Sequence, residues 1–439
     1  MSIEQPNALL QTTIAFNAEA SAESLASAPP VPAVFALYGA HGEPYVGRTP
    51  NLRSRLRRLL QPSPQHPRRL QLASLVQRIA WRQTASDFES ILIQFAVLDE
   101  LFAAQSLQRM HLKAPAFVRY LGSNPYPRLT ITHRPSLRDA PCCYGPFASH
   151  VAAERYVDEL LKLFLLRRCT DELIPALEHP GCVYGEMKMC LAPCQLRCSD
   201  ERYRQEASAI ESFLATRGES LRTQLQAERQ AASEALEFEA AATLHVRIRR
   251  AEEVMAMASE LVRPLSRLRA IVLQQSIEPA EVNVFLFEQG TWRGPAAFST
   301  LGMRIQNEQS GSTSLFAHPV SVEAVPEADF TPPDVKPSRV AKGVLESRME
   351  AALAQLTQTT QLIQTGQTNR VMNPGSATTV RQGHLSLLTR WYYRPLARRE
   401  GEIFFADGLG NWPLRQIIRG VGRVAGKAIA ANHSQDISV

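Results

Sequence analysis

The N-terminal quarter of the chain alternates short strand-like runs with a helix-like run of hydrophobic residues. A β-prone run over 33–38 meets a turn signal at 40–42 and a second short run over 45–47, which predicts a hairpin. Leucines then recur at helical spacing over 52–60, with arginines on the other faces. The pattern predicts a small α/β unit.

Further along, helical patterns dominate until two strand-like runs return. Ser86 followed by a glutamate three residues on is the pattern of a capping box, and it predicts a helix start. The periodicity predicts an amphipathic helix over 150–168, and helix formers dominate 199–262. Strand-like runs follow at 269–274 and 281–287.

These patterns predict an α+β multidomain protein with seven segments. An Ala/Ser/Glu-rich start that closes with two prolines is interpreted as a mobile leader, and a proline-rich stretch as a linker. The predicted segments are a leader (1–30), an α/β head (31–120), a cysteine-rich module (121–200), a helical hairpin (201–262), a small β segment (263–306), a linker (307–340) and a basic helical tail (341–439).

Two pieces of the tail leave alternatives open. Arg390-Trp-Tyr-Tyr-Arg394 mixes aromatic rings with cations, as in single-strand binders, but a buried aromatic helix flank fits equally. Gly420-Val-Gly422 resembles the turn of a helix–hairpin–helix, which presents backbone N–H groups to phosphate. A packed helical turn is the alternative.

The composition narrows the class of protein. Hydrophobic residues make up 45% and charged residues 21%, an ordinary globular balance. No run of eighteen apolar residues predicts a membrane span, and the N-terminus lacks a basic start followed by an apolar run. We therefore expect a cytoplasmic chain without a membrane partner.

Positive charge is concentrated in one short region. The net charge is +6, and residues 41–70 alone hold seven arginines against one glutamate. This local excess predicts contact with an acidic partner such as DNA, although a solvated helix face is the alternative. The candidate DNA-binding residues are Arg48, Arg53, Arg55, Arg57 and Arg58.

All seven cysteines lie between 142 and 198. In a chain expected to be cytoplasmic, such clustering favours metal binding over disulfides. Cys169, Cys182, Cys190 and Cys194 form a series with steps of thirteen, eight and four residues, and Cys198, four residues further on, is an alternative member. Four thiolates suit zinc or an iron–sulfur cluster.

Three motifs in order resemble the UvrC family of bacterial excinucleases, shortened at the C-terminus. Ala33-Val-Phe35 and, after nine intervening residues, Tyr45-Val-Gly-Arg48 resemble the two triplets of a GIY-YIG nuclease domain. The cysteine series follows, and Leu236–Leu244 resembles a UVR motif. In that family a second, RNase H-like centre uses paired acids and a histidine. After residue 340 the only aspartates are Asp407 and Asp436, so that second centre is expected to be absent.

The resemblance implies a nuclease site from which this sequence departs. Tyr45, Gly47 and Arg55 match the family, and Arg48 replaces a lysine. The first triplet's tyrosine, a proposed general base, falls on Phe35, and the glutamate that holds the metal falls on Gln94. A phenyl ring cannot relay a proton, and a neutral amide is a poor sole ligand for Mg²⁺. Mg²⁺ is therefore expected only if the site is active.

The resemblance also implies a cofactor and a partner. The family's four cysteines carry an iron–sulfur cluster, which places the cluster ahead of zinc. The UVR hairpin pairs with a UvrB-type helicase, and packing within the chain is the alternative. The candidate partner-binding residues are Leu236, Phe238, Ala241, Leu244 and Ile248.

Three functions follow as hypotheses. The first is a UvrC-like component of nucleotide-excision repair that binds DNA and UvrB and makes little or no incision. The second is an active GIY-YIG endonuclease that makes a single incision near a lesion. The third is an iron–sulfur interaction protein that regulates UvrB.

Overall fold

The structure is a computed structural model that describes residues 9–61, 72–136, 138–306, 313–315, 342–358 and 374–436. The chain forms two compact units, one of residues 1–112, 269–384 and 395–439, the other of 113–268 and 385–394. Helices and antiparallel sheets occur in both, as the sequence predicts. Apart from 313–315, the predicted linker lies outside the described residues.

The N-terminal part of the first unit is a four-stranded antiparallel sheet in the order β1-β4-β2-β3. Leucines of α2 pack with Phe35 and Trp81 in one core, which confirms the predicted hairpin and helix. Asn51 starts α2 because its side chain accepts a hydrogen bond from the Ser54 N–H at 2.9 Å. The elements are β1 (Thr12–Ala15), α1 (Ser21–Ser24), β2 (Ala33–Gly39), β3 (Tyr45–Thr49), α2 (Leu52–Leu60), β4 (Val76–Gln83), α3 (Asp87–Phe102) and α4 (Ser106–Arg109).

The prediction of a mobile leader over 1–30 is wrong for its described part. Residues Thr12–Ala15 form β1, which pairs with β4 at the edge of the sheet. Phe16 and Leu25 are buried in the same core as α2. The strand was not predicted because the segment is rich in small and polar residues and because its partner β4 lies more than sixty residues away in the sequence.

The second unit packs one sheet, in the order β6-β5-β7-β8, against four helices. A single core runs from β5 to the end of α9, so the predicted division into a head ending at 120, a module over 121–200 and a hairpin over 201–262 is wrong. The predicted helix over 150–168 ends at Leu160. The elements are β5 (Ala116–Tyr120), β6 (Leu129–Thr132), β7 (Cys143–Phe147), α5 (His150–Leu160), α6 (Val183–Glu186), α7 (Asp200–Ala215), α8 (Glu219–Glu234), α9 (Phe238–Met257) and β8 (Arg263–Pro264).

The C-terminal part of the first unit is a sheet in the order β11-β10-β9-β14. Residues of α10 and α12 complete its core. Because β14 pairs with β9, with Phe404 opposite Ile271, the predicted small β segment and helical tail are parts of one structure. The elements are β9 (Ala270–Gln275), β10 (Glu281–Glu288), β11 (Thr291–Ser299), β12 (Arg304–Gln306), β13 (Thr313–Leu315), α10 (Lys342–Gln358), α11 (Pro374–Tyr392), β14 (Glu402–Phe405) and α12 (Leu414–Asp436). Of α11, the residues from Leu385 onward belong to the second unit.

Both open questions about the tail are resolved. The Gly-Val-Gly segment lies inside α12, which continues without a turn, so the helix–hairpin–helix interpretation is wrong. Trp391 is buried, and the Tyr393 hydroxyl bonds the Ser259 hydroxyl and the Pro146 carbonyl at 2.8 and 2.9 Å. The aromatic segment is therefore a buried helix flank. Within the described ranges, no helix has the length and apolar character needed to cross a membrane.

Candidate functional site

The hairpin of β2 and β3 brings the first two motif positions into direct contact. Phe35 lies opposite Gly47 in the antiparallel ladder, and its ring is fully buried. A Cβ on residue 47 would lie 2.9 Å from the Phe35 Cζ atom. Glycine is therefore favoured here by close approach, because any larger residue would require the buried ring to shift.

Tyr45 and Arg55 lie beside this pair. The Tyr45 ring centroid is 6.0 Å from that of Phe35, and 42% of the tyrosine is exposed. Arg55 projects from the first turn of α2, and its guanidinium donates to the Tyr45 hydroxyl at 3.4 Å. Side chains alternate along a strand, so Tyr45 shares its sheet face with Gly47. Together they form a partly open patch with one phenol and one guanidinium.

Arg48 points to the other side of the sheet. It lies opposite Val34, one register position from Gly47, and forms an ion pair with Asp87 at the start of α3. Gln94 follows Asp87 by seven residues, so the two lie roughly 20° apart around the helix. The half-buried Gln94 thus stays on the side of α3 that carries Asp87. Sequence reasoning missed Asp87, because nothing local links it to Arg48.

The two nearby groups with the chemistry of the missing functions, Glu89 and Tyr38, are both buried. Glu89 is buried, and its carboxylate accepts the Ala85 N–H at 2.9 Å as part of the predicted helix cap. Burial raises the pKa of Glu89, an effect that the Ala85 N–H and Arg82 partly oppose. Tyr38 is buried beneath the Arg78 guanidinium, 4.5 Å from its ring centroid, and burial raises the pKa of this phenol.

The arginines near the hairpin differ in whether their guanidinium groups already have partners within the fold. Arg53 donates from Nε to the Ala28 carbonyl at 2.7 Å, so part of its guanidinium is used within the fold. Arg48 is committed to Asp87. Arg57 and Arg58 are exposed on α2. Of the predicted DNA-binding residues, these last two are the most accessible.

The four predicted ligand cysteines are brought into one neighbourhood of the second unit. Burial raises the pKa of Cys190 to about 11, and the thiols of Cys169, Cys182 and Cys194 act on it in the same direction. The Ala192 N–H donates to the Cys190 sulfur at 3.3 Å. Ala192 has a φ of 50°, a left-handed turn that aims its N–H back at the sulfur.

These sulfurs are near each other but are not gathered into a closed ligand set. Among the described residues, no three His, Cys, Asp or Glu side chains are arranged to hold a metal ion. The chemistry of the donor set nevertheless fits a metal–thiolate centre. Four thiols lie close enough to influence one another's charge, one of them receives a backbone N–H, and the adjacent buried Arg167 has an Nε atom without a partner.

The helical hairpin has the predicted form, with α8 and α9 joined through Ala235–Glu237. Leu236 and Phe238 at the turn are 71% and 67% exposed. Leu244 and Ala241 are half-buried on α9. Ile248 is buried in the core of the second unit, so its assignment to a partner surface is wrong. Ile248 follows Leu244 by one helical turn, and this spacing is the same whether a residue faces the protein core or a partner.

One segment of the second unit matches the model of a known protein family. Residues 117–213 match the family model described as the UvrC/Cho excinuclease, middle domain. This range covers β5, the cysteine cluster and most of α7. No solved structure matches the chain.

The curated relatives are more specific. The chain is 31% identical over 242 residues to UvrABC system protein C of Ruegeria sp., covering 55% of this chain and 38% of that protein. It is 31% identical over 228 residues to the protein of Hyphomonas neptunium, covering 52% and 37%. It is 26% identical over 328 residues to that of Syntrophus aciditrophicus, covering 74% and 53%. The matched part thus spans about a third to a half of each relative. Over these aligned parts the chain is similar to UvrABC system protein C, and residues 117–213 are similar to the middle domain of that family.

Proposed function

We propose that this chain is a DNA-binding component of nucleotide-excision repair whose GIY-YIG-type site makes little or no incision. The observation that carries the proposal is the enclosed phenyl ring of Phe35. It occupies the position where the resemblance requires a phenol, and Gly47 covers it without adding a polar group. Gln94 supplies no carboxylate for a hard divalent cation.

What the patch retains is suited to binding rather than hydrolysis. The exposed Tyr45 hydroxyl and the Arg55 guanidinium offer hydrogen bonds and charge to a phosphate. The cations Arg57 and Arg58 extend the positive charge along α2. Since the potential bases Glu89 and Tyr38 are buried, neither replaces the missing proton acceptor.

The experiment is a nicking assay on supercoiled plasmid DNA with Mg²⁺ or Mn²⁺. The unaltered chain should leave the plasmid intact, and Phe35→Tyr combined with Gln94→Glu should produce nicked circles. Adding Arg55→Ala to that double variant is the matched control and should abolish the gain. If the unaltered chain nicks DNA and Arg55→Ala alone abolishes nicking, the proposal is wrong and the chain is an endonuclease.

We further propose that Cys169, Cys182, Cys190 and Cys194 hold a metal–thiolate centre, an iron–sulfur cluster ahead of zinc. Such a centre would cross-link a segment of mostly irregular backbone. Visible absorbance of anaerobically purified protein together with elemental analysis separates the two. Zinc without iron would exclude the cluster, and neither metal would exclude the centre.

The exposed hairpin turn supports a protein partner. Leu236 and Phe238 leave apolar surface uncovered at the tip of two packed helices, which suits pairing with a second helical hairpin. We propose a UvrB-type helicase as this partner. With DNA and a helicase as partners, we also propose a cytoplasmic location and no membrane partner.

A further inference from the structure

Arg167 is a buried cation without an acidic partner. Only 1% of it is exposed, and it lies beyond the end of α5 in the segment that leads to Cys169. Its Nη1 atom donates to the Asp171 carbonyl at 3.1 Å, and its Nε atom has no hydrogen-bond partner. A guanidinium carries a positive charge, so the fold buries a cation here.

Other arginines of the second unit differ from Arg167 in having an acidic partner, although the Nε atoms of Arg168 and Arg222 also lack a hydrogen-bond partner. Arg119 is paired with Asp139 at 2.7 Å, and Arg222 with Glu219 at 2.6 Å. Even the neighbouring Arg168 has Asp158 at 3.5 Å. Arg167 forms no ion pair with any described residue. Leaving a buried charge uncompensated costs several kcal/mol, so the fold implies an anion at this place.

The sulfur of Cys169 lies 4.0 Å from the Arg167 Nη1 atom. Tyr203 fixes the same segment, because its hydroxyl accepts the Arg167 backbone N–H at 3.1 Å and donates to the Pro127 carbonyl at 2.8 Å. Tyr203 therefore holds the Arg167 backbone next to the cysteine cluster, and the guanidinium itself donates to a neutral carbonyl, that of Asp171. A neutral thiol is a weak acceptor and cannot balance that charge.

We propose that Arg167 is the charge partner of the centre formed by Cys169, Cys182, Cys190 and Cys194. Four thiolates around a divalent cation leave about two net negative charges, and a buried guanidinium at the edge of the cluster offsets part of them. The inference rests on the metal–thiolate centre of the proposed function. Arg167 is a positioning residue and is not itself a ligand.

The test is competition of the metal-free, fully reduced chain with a chromogenic chelator for Zn²⁺. Binding that Cys190→Ser removes is assigned to the cluster. Arg167→Met should weaken this binding about 10- to 100-fold, the usual effect of losing a group that supports a metal site. Arg167→Lys, which keeps the charge, should stay within a few-fold of the unaltered chain. Arg222→Met, which removes an arginine with a carboxylate partner, is the matched control and should change nothing.

Thermal unfolding distinguishes a charge partner of the metal centre from a merely structural residue, because only the charge partner should shift the unfolding temperature in opposite directions with and without Zn²⁺. Without metal, Arg167→Met should raise the unfolding temperature, because a buried unpaired charge is removed. With Zn²⁺ bound, it should lower that temperature relative to the unaltered chain. A lower unfolding temperature in both states would show that Arg167 only caps the Asp171 carbonyl, and would overturn the inference.

The two proposals fail differently. If the unaltered chain binds no Zn²⁺ that Cys190→Ser removes, the metal–thiolate centre fails and the inference fails with it. If the unaltered chain binds and Arg167→Met binds equally tightly, only the role of Arg167 is wrong.

Discussion

Gly47 faces Phe35 across the β2–β3 ladder at a distance that excludes any side chain on residue 47. A Cβ would lie 2.9 Å from the Phe35 Cζ atom, and the ring is enclosed by the core that also holds Leu52 and Leu56. The Phe35 ring of β2 therefore packs directly against the Gly47 backbone of β3. This contact fixes the position of Tyr45 and places it within reach of Arg55.

We expect Gly47→Ala to destabilise the first unit by about 1–3 kcal/mol, because the enclosed ring has to shift. Urea unfolding followed by circular dichroism measures the change. Gly408→Ala is the control, since a Cβ there meets no atom within 4 Å. Equal stability of the two variants would mean that the β2–β3 pair is looser than described.

Arg57→Ala and Arg58→Ala should each weaken DNA binding without changing stability, since both side chains are exposed. The slope of log K against log salt should fall by about 1 for each cation lost. Fluorescence anisotropy with duplex DNA over a salt series measures it. Arg53→Ala should instead reduce stability, because its Nε donates to the Ala28 carbonyl. An equal loss of slope in all three variants would contradict this division.

Phe238→Ala and Ile248→Ala should separate partner binding from folding. The exposed Phe238 should contribute less than about 0.5 kcal/mol to stability, and its loss should weaken binding to a UvrB-type helicase. The buried Ile248 should cost about 2–5 kcal/mol when truncated. Urea unfolding and calorimetric titration with that helicase measure the two effects. Intact binding by Phe238→Ala would remove the hairpin turn from the interface.

His384 should make the first unit sensitive to acid. Its Nδ1 atom accepts the Trp292 N–H at 2.9 Å, and full burial lowers its pKa from 6.5 to about 3. Below pH 6.5 the unfolded chain gains a proton that the folded chain does not. Stability is therefore lost as the pH falls, by about 1.4 kcal/mol per pH unit, until the pH approaches 3.

His384→Gln keeps an acceptor for the Trp292 N–H and removes this titration. Its stability relative to the unaltered chain should rise steadily as the pH is lowered from 6.5 to 4.5, as measured by urea unfolding. His245→Gln, on an exposed face of α9, controls for the loss of an imidazole. Parallel pH curves for the unaltered chain and His384→Gln would refute the prediction.

Much of the local structure and part of the site were readable from residue order. The β-prone run over 33–38 and the leucine spacing over 52–60 depend on neighbours a few residues apart, and both elements formed as predicted. The departures at Phe35 and Gln94 are likewise properties of single positions. The cap at Ser86 formed because its hydroxyl reaches only three residues along the chain.

Contacts between distant residues could not be predicted in this way. The pairing of β1 with β4, of β14 with β9 and of Arg48 with Asp87 joins segments that no periodicity connects. The burial of Arg167 beside Cys169 likewise depends on where α5 ends and on Tyr203, thirty-six residues further on. The sequence by itself determined which chemical groups are present and the short elements that carry them. Only the tertiary structure decided which of those groups are enclosed, paired or exposed, because side-chain surroundings are made by packing between segments far apart in the chain.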